Sequence, residues 1–225
     1  MECDTGAVPS KPPIEPATPD LPDELQEADL PASLVRAELE GVLLEDADLS
    51  ERDASTIAVS ECRLSRIDLS GASVVNATLR DAVLEDGSWS NARASGTTFR
   101  RVRFERVRLT GADLGRASLE DAVFLDCRID LASFRAATLA RVRFERCRLE
   151  EADFQGATLT SCVLIDCSLV RGSLAEATFT RSELRGCDLA AVGNPERLRG
   201  VRMAWGDVVN AAAELAEAAG IEVVD

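Results

Sequence analysis

From Leu34 to Leu189 the chain carries an apolar residue at every fifth position, 32 positions without a slip. Leucine holds 19 of them and phenylalanine seven, which are all the phenylalanines of the protein; Trp89 holds another. Two residues earlier in each unit stands a second constrained position, with 15 Ala, six Cys, six Val or Ile and two Gly. Only Arg52, Thr97 and Ser182 depart from small or apolar there. The residue between the two positions is polar in most units. Small–polar–large is the period-two signature of a very short strand, two inward residues flanking one outward residue. The remaining two residues of each unit, often Gly, Asn, Asp, Glu or Arg, must turn the chain. Apolar spacing of five does not stay on one face of a helix. The pattern therefore predicts an all-β solenoid with one large and one small residue inward on every side.

The charges say how many sides close a coil. With four sides, residues 20 apart stack at the strand spacing of about 4.8 Å. The series Asp46, Arg66, Asp86, Arg106, Asp126, Arg146, Asp166 then alternates in sign along one edge, and Asp81, Arg101, Asp121, Arg141, Ser161, Arg181 nearly does so along another. Three sides would scatter both series. Four sides predict eight coils over residues 32–191, with Thr78, Thr98, Ser118, Thr138, Thr158 and Thr178 as a stacked hydroxyl ladder. Residues 1–31 hold seven of the eight prolines, eight acids and one base, a composition expected to remain a disordered acidic tail. After a break at Gly193-Asn194-Pro195, residues 192–225 are expected to form a cap, with a helix started by Asp207 and stopped at Gly220.

The units ADLSE (47–51), ADLGR (112–116), ADFQG (152–156) and CDLAA (187–191) resemble the A(D/N)LXX repeat of the pentapeptide-repeat family. That resemblance implies a right-handed quadrilateral β-helix with a short C-terminal capping helix. It also implies a non-enzymatic protein-interaction scaffold. Family members of one subset are dimeric acidic rods that mimic DNA, bind DNA gyrase and protect it from quinolones or other topoisomerase poisons, a route to antibiotic resistance. By that resemblance Val208, Val209, Ala212, Leu215, Ala216 and Ile221 are candidate contacts of a homodimer, with Val223 and Val224 extending the edge. The alternative is a cap that serves its own chain only.

The chemistry of the side chains narrows function further. There is no His and no Tyr, and Lys11 is the only lysine beside 24 arginines. Mechanisms that need a His base or ligand are absent, and the lone Lys is poorly placed for a Schiff base or a phosphate loop. Paired acids such as Asp113 and Asp153 sit outward on a convex rod, with no concavity expected to shift their pKa values. Six cysteines (Cys62, Cys127, Cys147, Cys162, Cys167 and Cys187) occupy the small inward position, where they read as core residues; a straight column of thiols cannot wrap a tetrahedral metal. Cys3, in the tail, is the thiol expected to be reactive. No enzyme activity, metal or cofactor is expected. No run of 18 apolar residues predicts a membrane span, and the N-terminus lacks a signal-peptide pattern, so a cytoplasmic location is expected.

The net charge of −15 disfavours direct binding to nucleic acid, but it is unevenly placed. The tail and the first three coils are acidic, whereas residues 92–191 carry 16 Arg against 14 acids. Glu38, Glu40, Glu45, Asp46, Asp48, Glu51 and Asp68 are the candidate DNA-mimic acids. In the Arg-rich half, Arg108, Arg128 and Arg148 stack like upon like, with Arg103 and Arg143 on the neighbouring side. Stacked like charges are unfavourable unless compensated, so these five residues are the candidate surface for an acidic protein partner. Arg52 is expected either to reach solvent or to pair with an acid such as Asp53.

Overall fold

Each five-residue unit forms one side of a four-sided coil, and each coil pairs in parallel with the next at a register of 20 residues. The computed structural model describes residues 11–27 and 30–222. The strands on the first two sides of the early coils are β1 (Gln26–Glu27), β2 (Glu38–Glu40) and β3 (Val42–Glu45). Then come five eight-residue strands, each covering two sides: β4 (Ala58–Ser65), β5 (Thr78–Glu85), β6 (Thr98–Glu105), β7 (Ser118–Leu125) and β8 (Thr138–Glu145). In the last coils these split into β9 (Thr158–Thr160), β10 (Val163–Ile165), β11 (Thr178–Thr180) and β12 (Glu183–Arg185). The third and fourth sides are so short that they pair through single residues, such as Ser88 with Arg108 and Arg93 with Asp113. The result is a parallel β-solenoid of about nine turns. It exceeds eight coils because β1 pairs with β3 before the repeat and β13 (Arg202–Met203) pairs with β12 after it.

The two inward positions fill the interior. Phe104, Phe124 and Phe144 stack face to face with centroids 4.6 and 4.8 Å apart, the coil spacing itself. Phe134 stacks on Phe154 at 4.8 Å, and Trp89 meets Phe104 edge-on. The cysteines, Thr97 and Ser182 fit the small inward position because a carbonyl there accepts their proton: Thr97 Oγ1 donates to Val74 O, and Cys147 Sγ reaches Phe124 O. Arg52, at the thinly covered first coils, reaches neither Asp53 nor open solvent alone; it is half-buried and donates to the Ala32 carbonyl at 3.1 Å.

Every corner uses a left-handed backbone. From Arg36 to Ala191 each fifth residue has φ between 50° and 69°. Before the last coil these N–H groups donate to carbonyls 19 residues on, as Asp46 N–H to Ser65 O and Arg106 N–H to Leu125 O, so the next coil holds the turn.

Both flanks differ from expectation. Residues 11–27 do not hang free: they run along the rod, with Ala17 N–H on Asp121, Asp20 N–H on Asp81, and β1 closing the first coil. The prolines make an extended segment that needs no internal hydrogen bonds, and the rod supplies acceptors for the amides that remain. At the other end the helix begins at Trp205, two residues before Asp207, and breaks at Ala211 into α1 (Trp205–Asn210) and α2 (Ala212–Ala218). Asp207 does not cap a helix; its carboxylate accepts the Gly186 N–H, and Glu214 accepts the Ala191 N–H. These two amides stand on the last coil, where no further coil offers carbonyls.

Candidate partner-binding surface

The charged edges resolve into ion pairs. Arg66 grips Asp46 through Nε and Nη2 at 2.6 and 2.8 Å, and Arg106 grips Asp86 and Arg146 grips Asp126 in the same way. Along the other edge Arg141 holds Asp121 at 2.6 and 2.9 Å, and Arg101 holds Asp81. Each arginine turns toward the acid one coil earlier. Hydrogen bonds from these arginines hold the carboxyls of Asp46, Asp81, Asp86, Asp121 and Asp126 below the usual carboxylate range.

The five candidate arginines share two adjoining sides. Arg103 and Arg143 lie on the second side of their coils, within β6 and β8, and bond to Glu105 and Glu145. Arg108, Arg128 and Arg148 stack on the third side, residue over residue. Arg148 lies 3.3 Å from Glu150 and 3.6 Å from Asp130. Arg108 and Arg128 are exposed and make no ion pair among the described residues. They border a shallow open depression of about 460 Å³, where Gly87 and Ser88 leave the surface low between Asp86, Arg106 and Asp126. The expectation of a rod without concavity is thus corrected here. Gly87, which lines it, lies so close to the Ile67 carbonyl that an added Cβ would sit 2.6 Å from it.

The seven candidate DNA-mimic acids do not gather on one face. Glu38 and Glu40 lie on the first side, whereas Asp48 and Asp68 stack on the third, opposite it. Glu45 and Asp46 are both engaged by Arg66. Asp48 and Asp68 accept the backbone N–H of Ser50 and Ser70, and the Glu51 side chain lies over Gly71.

The six inward cysteines are buried as free thiols. The hydrogen bond with Cys127, then burial, pushes the Cys147 thiol up to about 12. Burial does the same to Cys162. Such thiols stay protonated near neutral pH and are poor nucleophiles. Cys3 lies outside the described residues, as do Val223 and Val224.

Of the candidate dimer contacts, Leu215 is turned to its own chain, packing against the solenoid core beneath α2, and Val208 and Ala216 are half-buried. Val209, Ala212 and Ile221 remain exposed. The sequence pattern missed Trp205, which is 80% exposed one helical turn before Val209.

No curated protein sequence matches the chain. Among solved structures, full-length QnrB1, a plasmid-mediated fluoroquinolone resistance protein, is similar over 80% of this chain and 100% of its own, at 15% identity and a TM-score of 0.51. HetL, a pentapeptide repeat protein involved in heterocyst differentiation regulation in the cyanobacterium Nostoc sp. strain PCC 7120, is similar over 76% of this chain and 90% of its own, with 18% identity and a TM-score of 0.38. The QnrB1 likeness is one of fold. Models of the pentapeptide repeat region (residues 97–171) and of pentapeptide repeats (62–101 and 159–191) together match residues 62–191 without a gap, more than half the chain. The chain belongs to the pentapeptide-repeat family.

Proposed function

We propose that the protein is a non-enzymatic scaffold that docks an acidic partner chain against the adjoining sides bearing Arg103, Arg143, Arg108, Arg128 and Arg148. The observation that carries this reading is the Arg108–Arg128 pair, stacked, exposed and without an ion pair among the described residues while the arginines of the neighbouring edge are matched. At physiological salt the screening length is about 8 Å, so these guanidinium groups act on a docking chain largely free of the acidic first coils. A fluorescein-labelled oligoglutamate peptide should bind the full chain with an affinity that falls as salt rises. Arg108→Ala combined with Arg128→Ala should weaken it at least tenfold. Equal binding to both proteins would overturn the reading.

A DNA-mimic role toward gyrase ranks second, because the free acids of the first coils are divided between opposite sides and form no single phosphate-like line. Protection of gyrase from a quinolone in a supercoiling assay by the wild type, retained by the double Arg variant, would reverse that order. A second copy is the proposed occupant of the exposed Trp205–Val209 face of α1, and Trp205→Ser should convert a dimer into a monomer in sedimentation velocity. A wild-type monomer at micromolar concentration would remove that part of the proposal.

A further inference from the structure

Pro13, Pro16, Pro19 and Pro22 recur at a spacing of three, the period of a polyproline II helix. The first three are half-buried against the rod while the residues between them are exposed, so one edge of the helix faces the solenoid throughout. Ala17 N–H donates to Asp121 Oδ1 and Asp20 N–H to Asp81 Oδ1, both at 3.1 Å, and Glu15 lies 3.4 Å from Arg143. Each bonded amide follows a proline directly. Under this segment the Asp81 and Asp121 side chains are 4% and 10% exposed. Asp86 and Asp126, in the same coils on the next edge, are 41% and 40% exposed.

The match is one of pitch. Three residues of polyproline II advance about 9.3 Å at about 3.1 Å each. Two coils advance about 9.6 Å at the strand spacing. Successive post-proline amides therefore meet acceptors two coils apart, and acids two coils apart are what the alternation Asp81, Arg101, Asp121, Arg141 provides. The arginine one coil on from each, Arg101 and Arg141, holds the carboxylate ionised and oriented, and amide-to-carboxylate bonds of this kind are charge-assisted. None of these contacts reads a side chain except that of Glu15 with Arg143; the rest read backbone spacing and the shape of proline.

We propose that the edge carrying Asp81 and Asp121 is a docking site for acidic polyproline II segments of other proteins, which residues 13–20 fill in cis as a tethered competitor. Tethering gives the cis segment an effective concentration in the millimolar range, so an added peptide gains access once the strap is weakened. This edge lies apart from the Arg108–Arg128 column that carries the reading above, and the two share only Arg143, which Glu15 of the strap contacts.

The test is fluorescence anisotropy with a fluorescein-labelled peptide of residues 11–24, titrated with full-length protein. The receptor is the full chain with Pro13, Pro16 and Pro19 each replaced by Gly, its fold checked by far-UV circular dichroism. Expected is binding at least tenfold tighter than to wild type, lost at least tenfold on adding Asp121→Ala, and absent for a peptide carrying the same three Pro→Gly changes. Equal binding to both receptors, no binding to the folded triple variant, or indifference to Asp121→Ala would overturn the proposal. A measurement that needs no variant accompanies it: in wild type the Ala17 and Asp20 amides should exchange at least tenfold more slowly than those of Thr18 and Leu21. Uniform exchange across the four would overturn it as well.

Discussion

A corner residue in this solenoid works against its own stereochemistry. A left-handed backbone costs an L-residue with a Cβ about 1–2 kcal/mol, yet of the 32 corners from Arg36 to Ala191 only six are glycine. Before the last coil the coil above offers the corner N–H a carbonyl, and many corner side chains are charges that pair with the corner 20 residues away. Ala136 has only the first of these: its N–H reaches the Gln155 carbonyl, but its φ is 54°, it is exposed, and its methyl pairs with nothing charged. Ala136→Gly should therefore raise stability by about 1 kcal/mol, the strain relieved less the greater freedom of glycine in the unfolded chain. Gly156, one coil on with φ of 68°, should lose about as much when changed to Ala. Urea midpoints of the two variants check both signs. The two residues left over in each unit were legible as a turn; their handedness was not, because Arg, Glu and Asp are poor signals for a positive φ and the hydrogen bonds that enforce it come from 19 residues away.

At the scale of the element, a strand of this kind is held by the identical strand above and below it. Phe124 lies between Phe104 and Phe144, and all three rings are fully buried. Phe124→Ala should cost about 3–5 kcal/mol, the usual penalty for emptying a large core position that cannot collapse. A loss below about 1 kcal/mol in urea unfolding would place the ring outside the core. The charged edges obey weaker forces. Arg106→Asp removes the grip on Asp86 and sets three acids in a row; it should destabilise modestly, and the loss should shrink as salt is raised. Acid acts on the same edges with a definite sign. The carboxyls of Asp81, Asp86, Asp121 and Asp126 lie below their ordinary 3.8 in the folded chain, chiefly through hydrogen bonds from arginine. Their contribution is complete above that value and is lost as pH falls through the lowered folded values, when carboxylates bound by Arg must take protons. Thermal unfolding midpoints should thus be flat from pH 7 to about 5 and drop below about 4. The sequence pattern already foretold which residues would stack, since the sign alternates at 20. It did not foretell that each Arg would choose the acid before it rather than the one after.

For the whole molecule, the interior of a solenoid is repetitive and its ends are not. The amides of Gly186 and Ala191 have no following coil, and Asp207 and Glu214 of the cap supply their acceptors. Asp207→Ala together with Glu214→Ala should lower stability by about 1–2 kcal/mol, two modest hydrogen bonds. The amides of Gly186 and Ala191 should then exchange faster while those of β6 and β7 keep their protection; unchanged exchange at Gly186 would show that the cap holds the end by packing alone. The sequence by itself determined which residues turn inward and which stack, because both recur. A pentad of small, polar and large residues can bury its apolar pair only as a short strand, and charges alternating at 20 are compatible only with four sides. What does not recur had to wait for tertiary structure, because its partners are far apart in sequence and carry no period. Asp207 and Glu214 serve the last coil instead of their own helices. The proline-rich segment lies along Asp81 and Asp121 because two coils and one turn of polyproline II happen to share a length, a coincidence of spacing that no count of residues along one chain reveals.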